Sequence, residues 1–300
     1  MSVVLELAVM LALAADSPMV KIAVAPAESV AVTARGEGPP VVLIPGLFGS
    51  AFGFRKVTAL LVAAGYRALV VEPLGIGWSS RPARADYSLA SQAQRVAAVL
   101  DSLAVKHAVV VAHSVGAGIA FRLAYQRPDL VAATVSLDGA ASETAAPPGL
   151  RRALKWAPLL RLFGGAGLAR KAIREGLIED SYDGSWVTAE VMAGYTAGSR
   201  DFGATLRALQ GMARSVEPEP LAPHLGAIRS PVILLTGSAD RPNRIRPEEQ
   251  QLLAERIPRI RIDTVARSGH HLHEERPEAV VAAVESLRLL LAANGDFRWE

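Results

Sequence analysis

Ser114 stands in the run Ala112-His113-Ser114-Val115-Gly116, after an apolar stretch at 108–112 (AVVVA) and before a helical stretch at 115–126. A serine hydroxyl is a weak nucleophile until a base takes its proton and the backbone presents it to solvent. A strand that turns straight into a helix at a serine strains that residue and lifts its hydroxyl clear of the sheet. Side chains two residues before and two after would collide in such a turn. Ala112 and Gly116 meet that demand, and Gly118 extends it into the helix; no other serine here has a small residue at −2 and glycine at +2. The plainer reading is a serine that caps the helix. The chain has no cysteine, which removes thiol nucleophiles, thiolate metal sites and disulfide frameworks.

The elements that must position Ser114 follow from apolar periodicity. Lys21–Val24 and Val30–Thr33 read as an antiparallel edge pair, and Val41–Ile44 as a strand buried on both faces. Further strands are expected at 66–71, 108–112, 131–137, 231–236 and 260–265. Helical spacing covers 52–64, 88–103 with Ser88 as its cap, 115–126, 247–256 and 277–293. This alternation predicts an α/β fold: eight strands, mostly parallel, with helices on both faces. One stretch, 139–230, breaks the alternation and is far longer than the dozen or two residues a crossover needs. It carries helix-like pieces at 150–162, 166–178, 187–197 and 201–214. The expectation is therefore one core, 19–139 and 226–300, split by a helical lid at 140–225. The 300 residues do not require two domains.

At this point the chain resembles the α/β-hydrolase superfamily, from about Lys21 to Leu291. Ala112 departs mildly from the usual G-x-S-x-G. The run Ile44-Pro45-Gly46-Leu47-Phe48-Gly49-Ser50 resembles the family's H-G-x-x-G-S oxyanion loop, with Pro45 where histidine is commoner. The resemblance implies an oxyanion hole made by the N–H groups of Leu47 and Val115. Glu72-Pro73-Leu74-Gly75-Ile76-Gly77-Trp78-Ser79 resembles the family's D-x-x-G-x-G-x-S loop, with Glu72 for aspartate. It is not a dinucleotide site, because Ser80 stands where the third glycine would be. Asp240, in Thr236-Gly237-Ser238-Ala239-Asp240, matches the strand-G-x-x-D turn and is the preferred acid. Asp138, at the end of VSLDG, is the alternative, since some relatives keep the acid there. Ser268-Gly269-His270-His271-Leu272-His273-Glu274-Glu275-Arg276-Pro277 resembles G-H-x-x-x-x-E-x-P and makes His270 the base, with His271 and His273 as fallbacks. The order Ser114, Asp240, His270 is that of this fold.

The resemblance implies a serine esterase acting on small to medium uncharged esters, with no cofactor and no metal. The same triad also serves C–C hydrolases, lactonases, cofactor-free haloperoxidases and acyltransferases, and some proteins of this fold are non-catalytic. Relatives with aspartate as nucleophile are dehalogenases and epoxide hydrolases, and Ser114 argues against both chemistries. Phe48, His113, Trp156, Phe163 and Trp186 are the candidate pocket residues; Met192 and Tyr195 read equally as lid core. Residues 270–273 have poor tetrahedral geometry for zinc. A net charge of +3, from 32 basic and 29 acidic residues, argues against a nucleic-acid partner. Residues 3–15 (VVLELAVMLALAA) are too short to span a membrane, which takes about 20 residues. With Ala12-Leu13-Ala14 they could be a signal peptide; a packed helix and a true start at Met19 are the alternatives. No Lys or Arg precedes the run and Glu6 interrupts it. This balance favours a cytoplasmic protein, with export following only if residues 1–14 are cleaved.

Overall fold

The computed structural model describes residues 19–146, 148–154, 165–293 and 295. One sheet contains β1 (Val20–Ala25), β2 (Glu28–Arg35), β3 (Pro40–Ile44), β4 (Arg67–Glu72), β5 (Ala108–His113), β6 (Val131–Leu137), β7 (Val232–Gly237) and β8 (Ile260–Val265). Their spatial order is β1-β2-β4-β3-β5-β6-β7-β8. β2 pairs antiparallel with both β1 and β4, and every other neighbouring pair is parallel. The eight expected strands are all present, with ends shifted by a residue or two.

Ten α-helices surround or leave the sheet among the described residues: α1 (Arg55–Ala63), α2 (Leu89–Ser102), α3 (Val115–Gln126), α4 (Pro148–Ala153), α5 (Gly165–Glu179), α6 (Ala189–Thr196), α7 (Phe202–Arg214), α8 (Pro247–Arg256), α9 (Leu272–Glu275) and α10 (Pro277–Ala293). The central strands are mostly apolar and buried along their length because both faces are covered. Val42, Ile44, Val110 and Ala112 pack under α2, α3 and α8. Val41, Leu43, Val109 and Val111 pack under α1 and α10, against Val57, Leu61, Val280 and Val284. Each fully buried valine or leucine of this kind stabilises the fold by about 1.5–3 kcal/mol. Among the described residues no helix is long and apolar enough to cross a membrane. Residues 1–18, with the apolar run at 3–15, lie outside the described residues.

Between β6 and β7 the chain leaves the sheet and carries α4 to α7. This insert has a small core of its own, made by Leu177, Val187, Val191, Met192 and Tyr195. Both ends of the insert are tied to α3 through Arg122, whose side chain is 1% exposed. Arg122 donates to Gly118 O and Ser142 O, and pairs with Glu143 at 2.9 Å on the leading side of the insert. On the trailing side it pairs with Glu217 at 3.3 Å. Glu217 also accepts from the N–H groups of Leu89 and Ala90, at the start of α2, where the helix dipole favours a carboxylate. Glu143 accepts from Leu221 N. A fully buried guanidinium is tolerated because two carboxylates and two carbonyls face it.

Candidate active site

Ser114 lies between β5 and α3 with φ 53° and ψ −123°, and its side chain makes no capping hydrogen bond. The helix-cap reading is thereby set aside. Positive φ is a costly conformation for a residue with a Cβ, and here neighbouring chain segments enforce it. A Cβ on Gly116 would lie 2.8 Å from Ile44 O, and one on Gly46 would lie 3.0 Å from the Cβ of Ser114. The small-residue rule read from the sequence is thus a rule of close approach between the β3 and β5 turns. Ser114 N donates to Leu137 O at 3.0 Å, which sets the serine beside the end of β6.

The loop after β3 folds back on itself through Gly49 N to Gly46 O, with Phe48 at φ 63° and 36% exposed. Among the described residues the N–H groups of Leu47 and Val115 have no protein acceptor. Glu72 braces this loop from below. Its carboxylate is buried and accepts from Ala51 N and Trp78 N. Burial pushes its carboxyl above the usual range, while those two N–H groups oppose the shift. Glu72 thereby joins two glycine-rich loops.

His270 Nδ1 donates to Asp138 Oδ2 at 2.7 Å, with both side chains buried. Asp138 is the first residue past β6 and has φ 46°; Ile245 N approaches its other oxygen at 3.5 Å. The preference for Asp240 is corrected by this geometry. The Asp240 side chain is 95% exposed and meets Arg244 at 3.2 Å. The G-x-x-D turn exists, but it serves packing: a Cβ on Gly237 would lie 2.3 Å from Gly269 O, and Ala239 N donates to Ser268 O. The carboxylate at its end points to solvent. The carboxylate that meets His270 is Asp138 and not Asp240.

Four imidazoles gather here. His113 Nε2 donates to the carbonyl of His270 at 3.0 Å, and the two rings stand 4.7 Å apart. His273 lies 4.4 Å from His113 on another side, and His271 lies 5.3 Å from His270. Burial holds His113, His271 and His273 well below the ordinary imidazole range, with further lowering from their neighbours. They are neutral rings packed around the one that pairs with a carboxylate. Among the described residues no group of three His, Cys, Asp or Glu side chains is placed to hold a metal ion.

Of the proposed pocket residues, Trp186 rests against His271 at 5.6 Å and donates its indole N–H to Ser181. Phe48 reaches the surface. His113 sits behind the base and Tyr195 in the core of the insert, its hydroxyl donating to Glu274 at 3.1 Å. Trp156 and Phe163 lie outside the described residues. Asp180 and Asn243, which meet the base loop and the loop beside Asp138, belong to no motif. Nothing in the sequence singles them out; it is burial that marks Asp180, an acidic residue only 5% exposed.

The model of the alpha/beta hydrolase family matches residues 41–283, and the chain belongs to that family. The uncharacterized hydrolase YugF of Bacillus subtilis is 29% identical over 245 residues, covering 80% of this chain and 86% of that protein. The magnesium-chelatase 30 kDa subunit of Rhodobacter capsulatus is 31% identical over 256 residues, covering 81% and 84%. Among solved structures, the epoxide hydrolase CorEH superposes with a TM-score of 0.75 at 19% identity, covering 91% of this chain and 100% of that one. An esterase from Thermogutta terrifontis superposes with a TM-score of 0.71 at 21% identity, covering 90% and 97%. At these identities the superpositions speak for the fold.

Proposed function

We infer that the chain is a serine hydrolase that cleaves carboxylic esters of small to medium uncharged substrates through an acyl-enzyme. One observation carries the reading. A serine in enforced positive-φ backbone sits at the sheet edge where a buried histidine donates to a buried carboxylate at 2.7 Å.

Ser114 attacks the acyl carbonyl while His270 Nε2, the ring nitrogen that does not face Asp138, takes its proton. Asp138 holds that tautomer and stabilises the imidazolium. The N–H groups of Leu47 and Val115 receive the oxyanion, each worth about 3–4 kcal/mol in the transition state. The imidazolium then protonates the departing alcohol. Water attacks the acyl-enzyme by the same route in reverse. Residues 140–225 act as the lid over this edge. The neutral histidine rings around the base favour uncharged substrates, and likeness of fold to an esterase is consistent with the reaction.

A fluorophosphonate probe tests the proposal. Wild type should label and should hydrolyse p-nitrophenyl esters, with an optimum at short to medium acyl chains. Absence of labelling in wild type, or equal labelling of Ser114→Ala, overturns it.

A further inference from the structure

Asp180 follows α5 in the insert, far in sequence from Ser114, Asp138 and His270. It is 5% exposed, and both its backbone and its side chain are committed. The Asp180 carbonyl accepts from His270 N at 2.8 Å. Its carboxylate accepts from Asn243 N at 3.2 Å and from the Asn243 side-chain amide. Two residues beyond Asn243, Ile245 N faces Asp138 Oδ1. A single residue of the insert thus holds the backbone of the histidine and the loop that flanks its carboxylate partner.

The fit around it is close. A Cβ on Gly269 would lie 2.2 Å from Asp180 O, so the glycine before His270 is required by the insert as well as by the loop. Glu275 closes the other side by accepting from Gly269 N at 2.7 Å and from Asp183 N at 2.9 Å. Arg241 reaches back to Tyr182 O at 3.4 Å. The strand ends alone leave His270 on a loop between β8 and α9; these contacts turn that loop into a fixed mount.

We propose that Asp180 is a positioning residue for the His270–Asp138 pair, acting through its carbonyl on His270 and through its carboxylate on Asn243. This rests on the serine-hydrolase reading for its kinetic consequence, though not for its geometry. The carboxylate is an acceptor only, and Asn243 presents two donors to it. Asp180→Ala removes both acceptors and leaves the two Asn243 donors without a partner, which unseats 243–245 and lets the base loop shift. A displacement of this size typically lowers kcat/KM by about 10- to 100-fold. Exchanging the pair, Asp180→Asn with Asn243→Asp, puts donor against acceptor again. The amide oxygen then carried at position 180 still accepts from the backbone N–H of residue 243, and the amide nitrogen beside it meets the new carboxylate.

Two readouts separate this proposal from the reading beneath it. The first is the NMR signal of the His270 Nδ1–H proton, assigned by its loss in His270→Gln and followed with pH in folded protein. It needs no turnover. It should broaden or move upfield in Asp180→Ala and in Asn243→Ala, and be kept in the double exchange. The second is the pH profile of kcat/KM for p-nitrophenyl acetate, whose acid limb should shift in the single variants and recover in the exchange, with kcat more affected than KM. If the single variants, folded by circular dichroism, keep the wild-type proton signal and its titration, the proposal fails, whatever the fluorophosphonate result. If Asp180→Ala does not fold, Asn243→Ala and the exchange carry the same test.

Discussion

Two carboxylates end neighbouring parallel strands at the same edge of the sheet, and they have opposite fates. Asp138 leaves β6 in positive-φ backbone, is buried, and accepts from His270. Asp240 lies three residues past β7, points into water, and among the described residues pairs with Arg244. The turn after β7 matches the family pattern better, yet the side chain that meets His270 is on the turn with less pattern. A turn motif specifies backbone shape. Which way a carboxylate faces depends on what its neighbours leave open. After β6, Gly139 packs so tightly that a Cβ there would lie 2.5 Å from Ser114 O and from Ala117 Cβ, and this leaves Asp138 to face the histidine loop. After β7, Gly237 presses against that same loop and the chain has turned outward by residue 240.

The largest expected difference between the two sites is in activity. Asp138→Asn should lower kcat for ester hydrolysis by about 10⁴, through the wrong imidazole tautomer, while Asp240→Asn stays within about twofold. Steady-state kinetics on a p-nitrophenyl ester decides, and the reverse pattern would break the comparison. Next comes pH. The histidine rings that wall the Asp138 side are neutral in the folded protein, whereas unfolded histidine titrates near 6.5. Below that pH the unfolded chain binds more protons than the folded one, so stability is intact above about 6.5 and falls as pH drops. Each of His113, His271 and His273 contributes up to about 1.4 kcal/mol per pH unit. Calorimetry between pH 8 and pH 5.5 should show a falling Tm, with a shallower slope in His273→Gln.

Smaller effects separate the turns by packing. Gly139→Ala should destabilise the fold by about 1–3 kcal/mol, since the added Cβ meets backbone at 2.5 Å and has no room to relax. Asp240→Ala should change stability by less than about 0.5 kcal/mol, the usual worth of an exposed ion pair. Urea unfolding of both variants measures the contrast; equal losses would mean that the two turns are equally constrained.

Much of this molecule is legible in its sequence because the physics there is local. All-apolar runs such as AVVVA fit strands covered on both faces, and Gly116 and Gly46 mark the crowding that surrounds Ser114. His270 is legible from its place between the last strand and the last helix. Which carboxylate meets it is not, because Asp138 and Asp240 occupy equivalent strand ends and only three-dimensional crowding tells them apart. Asp180 is not, because its carbonyl bond to His270 N is a backbone contact, which leaves no residue-type pattern. Tyr195 reads in the sequence as either pocket or core; it is core, and its hydroxyl is held by Glu274 beneath the base loop.

Arg122 sets a condition on modularity. The stretch between β6 and β7 is a single contiguous insert that could be exchanged as one piece. Here the two carboxylates that neutralise Arg122 lie at the seams of that insert, one on each side. A transplant cut inside Glu143 and Glu217 retains both counter-charges; one cut outside them strands a cation in the interior beneath α3, at about 3–5 kcal/mol for an unpaired buried charge. The natural crossover points for chimeras are therefore set by electrostatics in the scaffold, at two residues for which no contact with Ser114 or His270 is seen among the described residues.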